Sequence, residues 1–151
     1  MKNAIYFDMD GTIANLYGVE NWLEYIIARD PFPYANAKPL LNLSALARRL
    51  NNLRRDGWKV GVISWLSKED NPDYNKVVTA AKKAWLEKHL ASVIFDEIQI
   101  VSYGTPKSTA AAEMGILFDD EQPNREEWER AGGIAYNVHN ILEVLEGLKN
   151  G

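Results

Sequence analysis

Two aspartates separated by one residue, Asp8 and Asp10, directly follow a short apolar run near the start of the chain. Carboxylates at this spacing can share one cation and one phosphate group. Magnesium suits such a site because it prefers hard oxygen ligands and keeps several of its waters. Gly11 allows a sharp turn after the acids, and the Thr12 hydroxyl can hydrogen bond within that turn. The segment is therefore a candidate for metal-assisted phosphate chemistry.

An Asp-x-Asp-Gly stretch is by itself more often a surface turn, and it also occurs in calcium-binding loops. The third acid and the closing glutamate of such a loop are missing here. An apolar strand leads into the acids, which a helix-loop-helix calcium site would not show.

Further polar groups follow later apolar runs of the chain. Ser64 closes one such run, and the adjacent acids Asp119 and Asp120 close another. Neighbouring like charges at a buried edge are costly unless a cation or a base compensates them. Lys107 lies in a turn before a short helix, from which it can reach back over the strand ends.

The elements that must position these groups alternate between strands and helices. The apolar runs predicted as strands begin at Ala4, Val60, Ile98, Ile116 and Ile134. Segments 43–55, 75–90 and 141–148 between and after them have helical apolar spacing. This order predicts an α/β fold with a doubly wound, mainly parallel sheet, in which ligands bind at the carboxyl ends of the strands.

Residues 13–40 interrupt the alternation after the first predicted strand. A short helical pattern over 19–28 is followed by three prolines, which we expect to prevent regular structure. We interpret this segment as a small cap over the active edge of one domain spanning 1–151. Its aromatic residues, most of which we expect to pack the cap onto the body, are Trp22, Tyr25, Phe32 and Tyr34.

Composition narrows the classes of function. A net charge of −4 disfavours duplex nucleic acid as a partner, because phosphate backbones need a basic face. The lack of cysteine excludes disulfides, thiolate metal sites and cysteine nucleophiles. We expect no signal peptide, because the first apolar stretch is short and soon meets acids. No membrane span is expected either, so a cytoplasmic protein is the default expectation.

Taken together, these groups resemble the motifs of the haloacid dehalogenase superfamily of phosphohydrolases, in the same order along nearly the whole chain. Segment 8–12 matches the first motif, Ser64 the second, Lys107 the third and Asp119 with Asp120 the fourth. The resemblance implies a Rossmann-like core and a magnesium-dependent phosphatase. It also implies a small phosphorylated substrate.

The resemblance implies a role for each acid. Asp8 would be the nucleophile that forms an aspartyl-phosphate, and Asp10 would protonate the leaving oxygen and then activate water. Asp8, the backbone carbonyl of Asp10 and Asp120 would bind Mg²⁺. Asp119 would orient Lys107 or a metal-bound water. The groups that would hold the phosphoryl oxygens are Met9, Asp10, Ser64, Trp65 and Lys107.

Within the superfamily, the chain resembles the 5'(3')-deoxyribonucleotidases through its small cap and through segments 82–90, 98–101 and 116–120. It departs from them in its short cap and in Trp65, where a small residue is more usual. Trp65 could stack on a nucleobase or pack under the cap. The substrate would thus be a nucleoside monophosphate, another small phosphate ester or a polynucleotide end.

Two other classes of protein remain as alternatives. Phosphate-accepting receiver domains use similar groups, but in them the acid pair comes first and the lysine last, whereas Lys107 here precedes Asp119 and Asp120. A non-catalytic binding protein on this scaffold is disfavoured because no motif position is lost. The sequence leaves the oligomeric state open.

Overall fold

The apolar runs form strands in the computed structural model, which describes residues 3–148. In chain order the strands are β1 (Ala4–Phe7), β2 (Ala14–Asn15), β3 (Lys38–Pro39), β4 (Lys59–Trp65), β5 (Glu97–Val101), β6 (Ile116–Phe118) and β7 (Ile134–Tyr136). Five of them form one sheet in the order β5-β4-β1-β6-β7, with every neighbouring pair parallel. Strands β2 and β3 form a separate antiparallel pair. The predicted α/β class with a mainly parallel sheet is confirmed.

The helices are α1 (Trp22–Ile27), α2 (Phe32–Asn36), α3 (Leu43–Arg55), α4 (Pro72–His89), α5 (Lys107–Ala110), α6 (Gln122–Arg130) and α7 (Ile141–Leu148). Asparagine side chains cap the two long ones: Asn42 accepts from the Ala45 N–H at 3.0 Å and Asn71 from the Tyr74 N–H at 2.9 Å. Within residues 3–148, no helix combines the length and apolarity that crossing a membrane requires.

Two of the predicted boundaries that shift have a clear local cause. Helix α4 begins at Pro72 rather than at Asn75, because the Asn71 cap precedes a proline in the first turn. The last strand ends at Tyr136 rather than at Val138, which begins a short 3₁₀ turn with its N–H bonded to the Asn137 side chain.

Strand β1 occupies the middle of the sheet, and all four of its residues are buried. Helices α3 and α7 pack against each other beside it, and the apolar faces of α3 and α4 contribute Leu46, Leu50, Trp85 and Leu86 to the main core. From β1 the chain continues to β4 on one side and later to β6 on the other. The carboxyl end of β1 is therefore flanked by the ends of two neighbours, which is where such sheets bind ligands.

The cap, residues 13–40, contains more regular structure than its prolines predict. It holds β2, a 3₁₀ turn over Leu16–Gly18, α1, α2 and β3. The expectation that the prolines prevent regular structure is wrong, because Pro33 lies in the first turn of α2, where its missing N–H costs no helical hydrogen bond.

The cap aromatics differ in their surroundings. Tyr25 and Phe32 stack on each other with centroids 4.7 Å apart. Tyr34 is buried and packs against Leu66 and Tyr74 of the body. Trp22 instead meets Tyr17 edge to face at 5.0 Å.

Candidate active site

A tight turn after β1 presents the first two acids. The carbonyl of Met9 accepts the N–H groups of three following residues, at 3.0–3.1 Å. Gly11 has φ +84° within this turn, and a Cβ there would meet the carboxylate of Asp120. The Thr12 hydroxyl donates to Asp8 Oδ2 at 2.9 Å. The turn therefore holds one oxygen of Asp8 and makes room for a second acid.

Lys107, the first residue of α5, joins two of the acids. Its side chain is almost completely buried, and Nζ donates to Asp8 Oδ1 at 2.9 Å and to Asp119 Oδ2 at 2.7 Å. Burial alone would lower the pKa of Lys107, but attraction to Asp8 and Asp119 outweighs burial and raises the pKa. The lysine therefore stays charged beside the proposed nucleophile. The Ser108 N–H donates to Glu127 at 3.1 Å, which fastens α5 to α6.

The acid pair after β6 divides into a buried and a more open member. Asp119 is fully buried and also accepts from the Glu121 N–H at 2.9 Å and from Asn124 Nδ2 at 3.2 Å. Asp120 is half-buried and lines a cavity. The two acids thus differ in how far their oxygens are already committed to protein donors.

Oxygens of Asp8, Asp119 and Asp120 lie within 4.8 Å of one another. Burial, reinforced by repulsion from Asp8, raises the pKa of Asp119 to about 6. Burial and the contact with Asp8 raise the pKa of Asp120 to about 8. The raised pKa values indicate that ionising Asp119 and Asp120 is costly at this buried edge. A divalent cation would offset the repulsion, and hard oxygen donors of this kind fit Mg²⁺. Because three donors engage Asp119, Asp120 is the better placed of the pair to bind it.

Asp10 pairs with a buried lysine, Lys82, that is not among the predicted site residues. Lys82 of α4 donates to Asp10 Oδ2 at 2.9 Å and to Ser64 Oγ at 2.6 Å. Burial raises the pKa of Asp10, with Lys82 opposing the shift and Asp8 adding to it. The spacing contained a signal: Lys82 lies four residues after the buried Val78 and three before the buried Trp85, on the core face of the helix.

The site opens into a cavity of about 690 Å³. The cap residues that line it include Tyr17, Trp22, Leu23, Ile26, Ile27 and Tyr34, and the body contributes Trp65, Leu66, Tyr103 and others. Ser67 also lines it, and the buried Ser67 hydroxyl has no hydrogen-bond partner among residues 3–148. The lining is therefore mainly apolar and aromatic, with polar groups that include Asp8, Asp10, Lys107 and Asp120.

Trp65 is fixed in the cavity wall. Its Nε1 donates to the Thr105 carbonyl at 2.8 Å, and its ring meets Tyr103 edge to face at 4.9 Å. Lys107 Nζ lies 5.7 Å from the centroid of the same ring. The contacts of Trp65 thus connect β4 to the loop that leads into α5.

The structure brings the predicted site residues together at one edge of the sheet. Those that line the cavity are Asp8, Asp10, Trp65, Lys107 and Asp120. Met9, Ser64 and Asp119 are buried beside them. Ser64 is the second-last residue of β4 rather than its end, and its Oγ accepts from Lys82.

The whole chain is similar to two solved phosphatases. One is a D,D-heptose 1,7-bisphosphate phosphatase from B. bronchiseptica, complexed with magnesium and phosphate, with a TM-score of 0.61, 14% identity and 99% of each chain covered. The other is a D,D-heptose 1,7-bisphosphate phosphatase from Burkholderia thailandensis, with a TM-score of 0.61 and 12% identity over 99% of this chain and 100% of that chain.

The sequence matches no known family model, and no curated protein matches it significantly. Neither of the two structural neighbours is a deoxyribonucleotidase. At these identities the likeness shows the fold. The chain has the α/β core with a mainly parallel sheet that these two phosphatases share.

Proposed function

We propose that the protein is a magnesium-dependent phosphomonoester hydrolase that acts through an aspartyl-phosphate on Asp8. The observation that carries the proposal is the position of Asp8 in the lining of the cavity. It lies against the buried cation of Lys107 and within 4.8 Å of Asp119 and Asp120. The resemblance of the motifs and the phosphatase fold of the neighbours support the same assignment.

The phosphate would be held by donors around Asp8. The amide N–H groups of Met9 and Asp10 have no intramolecular acceptor within residues 3–148 and can donate to phosphoryl oxygens. The Ser64 hydroxyl accepts from Lys82, so its own proton remains available. Lys107 adds positive charge beside Asp8. Fixed donors of this kind stabilise the charge that develops on the transferring group.

The reaction would proceed in two displacements. An oxygen of Asp8 forms a bond to phosphorus as the ester P–O bond breaks, and Asp10 gives its proton to the leaving oxygen. Water then forms a bond to phosphorus and gives a proton to Asp10 as the Asp8–phosphorus bond breaks. The products are the alcohol and inorganic phosphate, and both aspartates return to their starting states.

Mg²⁺ would be held by the carboxylates of Asp8 and Asp120 and by the backbone carbonyl of Asp10. It supplies shielding of the repulsion between a carboxylate nucleophile and a phosphate dianion. Asp119 orients Lys107 through its 2.7 Å hydrogen bond.

The direct test is hydrolysis of 4-nitrophenyl phosphate with Mg²⁺. We expect Asp8→Asn to lower kcat by roughly 10³-fold or more, because an amide is a poor nucleophile. Asp56→Asn, at an exposed position beyond α3, serves as the matched control and should retain activity. Full activity in Asp8→Asn, or no turnover of any phosphomonoester by the wild type, would sink the proposal. Stable phosphorylation of the protein without turnover would instead indicate a receiver-like module.

Within this class we propose a nucleoside monophosphate as substrate. The supporting observation is the aromatic wall formed by Tyr17 and Trp22 of the cap with Trp65 and Tyr103 of the body. Stacking of a base on an aromatic face contributes about 1–3 kcal/mol. Another small phosphate ester and a polynucleotide end are the alternatives.

This substrate assignment is tested by comparing deoxythymidine 5'-monophosphate with deoxyribose 5-phosphate, which lacks the base. We expect kcat/KM for the nucleotide to be at least roughly tenfold higher. Trp65→Ala should lower kcat/KM for the nucleotide more than for 4-nitrophenyl phosphate. Equal kcat/KM values for the nucleotide and for deoxyribose 5-phosphate would exclude recognition of the base. Equal losses of kcat/KM for the nucleotide and for 4-nitrophenyl phosphate in Trp65→Ala would exclude stacking of the base on Trp65.

A further inference from the structure

Lys82 is a buried lysine whose ammonium group is fully engaged. Its side chain is 1% exposed, and Nζ donates to Asp10 Oδ2 at 2.9 Å, to Ser64 Oγ at 2.6 Å and to the Trp65 carbonyl at 2.7 Å. An ammonium group has three protons, so these bonds use all of them. Nζ also lies 5.0 Å from the centroid of the Tyr34 ring, in the cap.

This arrangement is costly for the fold. Lysine is almost never fully buried unless it is paired, because removing an ammonium group from water is unfavourable. A leucine or methionine at this position of α4 would continue the apolar face that Val78 and Trp85 form. Stability alone therefore gives little reason for a lysine here.

Lys82 does not line the cavity, whereas Asp8, Asp10 and Lys107 are among the described residues that do. With its three protons engaged, Lys82 has none left for a phosphoryl oxygen. Any effect on the reaction must pass through the groups that it holds.

The two acids of the first turn thus have separate cations. Lys107 holds Asp8, and Lys82 holds Asp10 through one carboxyl oxygen, Oδ2. The other oxygen, Oδ1, accepts no hydrogen bond from the described part of the chain, and Asp10 lines the cavity. A carboxyl group fixed in this way can present Oδ1 to a leaving oxygen.

We propose that Lys82 is a positioning residue for proton transfer by Asp10: it fixes Oδ2 so that Oδ1 delivers the proton to the leaving oxygen. The inference rests on the proposed phosphatase function. Proton transfer in the transition state depends on heavy-atom distances of about 2.6–3.2 Å. A released Asp10 side chain should lose that geometry while Asp8 and Lys107 retain theirs.

The test compares phenyl phosphate with 4-nitrophenyl phosphate. The phenolate is the more basic leaving group and needs the proton, whereas 4-nitrophenolate leaves without it. The measured quantity is kcat/KM, which includes steps only through release of the alcohol. We expect Lys82→Met to lower kcat/KM for phenyl phosphate by roughly 10²-fold more than for 4-nitrophenyl phosphate. Lys83→Met, at the exposed neighbouring position, is the control and should leave the ratio unchanged.

Lys82→Arg is the second variant, because it keeps the positive charge beside Asp10 if Lys82→Met fails to fold. The planar guanidinium group of arginine cannot reproduce the three contacts of an ammonium group. For Lys82→Arg we therefore expect the ratio of kcat/KM for phenyl phosphate to that for 4-nitrophenyl phosphate to fall, but by less than in Lys82→Met. An unchanged ratio in a folded, active variant would overturn the role of Lys82 and leave the phosphatase intact. Absence of hydrolysis in the wild type would overturn the phosphatase instead.

Discussion

Single residues in the site are held by charge as much as by packing. Asp8 and Asp10 are two positions apart, yet each is bound by a different buried lysine. Such pairs are costly to break, because removing one partner leaves a buried charge without compensation. The acids Asp119 and Asp120 also differ in their contacts, since three protein donors engage the carboxylate of Asp119. Within residues 3–148, the carboxylate of Asp120 accepts only a longer contact, from the Thr12 hydroxyl at 3.4 Å.

A charged residue far from the site gives a separate prediction about pH. Asp96 accepts from the Val60 N–H at 2.8 Å and from Arg54 at 3.2 Å. Partial burial alone would raise the pKa of Asp96, but these two partners outweigh it and hold the pKa below its ordinary value. Stability from this group is therefore present above the unfolded pKa, about 3.9, and is lost as the pH falls through the folded pKa.

We expect Asp96→Asn to lower the free energy of unfolding by about 1 kcal/mol at pH 7. The deficit should shrink as the pH falls below about 4, where the wild-type carboxylate takes up a proton. Urea denaturation at pH 7 and pH 3 measures both values, with Asp56→Asn as an exposed control. A deficit of the same size at both pH values would contradict the charge-based explanation.

At the scale of elements, the body of the fold could be predicted from sequence. Strands buried on both faces appear as unbroken apolar runs, and amphipathic helices show regular apolar spacing. The predicted bounds of β1 and α3 therefore match the observed ones. The acids could be assigned to one edge because parallel strands end together.

Other features depend on partners that the local sequence does not contain. The elements of the cap are short, and α1 has no fully buried residue, so the apolar spacing there is a weak signal. Lys82 is one of two adjacent lysines, and its spacing from Val78 and Trp85 indicates the core face of α4, but only the packed structure shows that it is buried against Asp10 and Ser64. The partnership of Asp119 with Asn124 and Glu121 likewise depends on how the chain turns after β6.

At the scale of the whole molecule, a Mg²⁺ ion bound at the cluster of Asp8, Asp119 and Asp120 would couple metal binding to folding. Ions that bind only the folded state stabilise it by about 2.7 kcal/mol at 100 times Kd. For a chain of this length we expect saturating Mg²⁺ to raise Tm by roughly 5–10 °C. Thermal melts at constant ionic strength, with NaCl as the control salt, measure the shift.

Asp120→Asn provides the matched variant. Without Mg²⁺ we expect it to melt above the wild type, because one of three repelling carboxylates is removed. Its response to Mg²⁺ should be much smaller. If Asp119→Asn abolished the response and Asp120→Asn did not, the direct metal ligand would be Asp119.

The central place of β1 has a consequence for how the chain folds. Strand β1 precedes both of its neighbours in the sheet, β4 and β6, and Asp8 meets Lys107 across 99 residues of sequence. Loop-closure entropy opposes such distant pairings, and folds dominated by them form slowly. During synthesis, the apolar surface of β1 stays uncovered until β4 and β6 have been made. The three acids are brought together when β6 pairs with β1, so their repulsion arises late, after β4, β5 and the helices between them have been made.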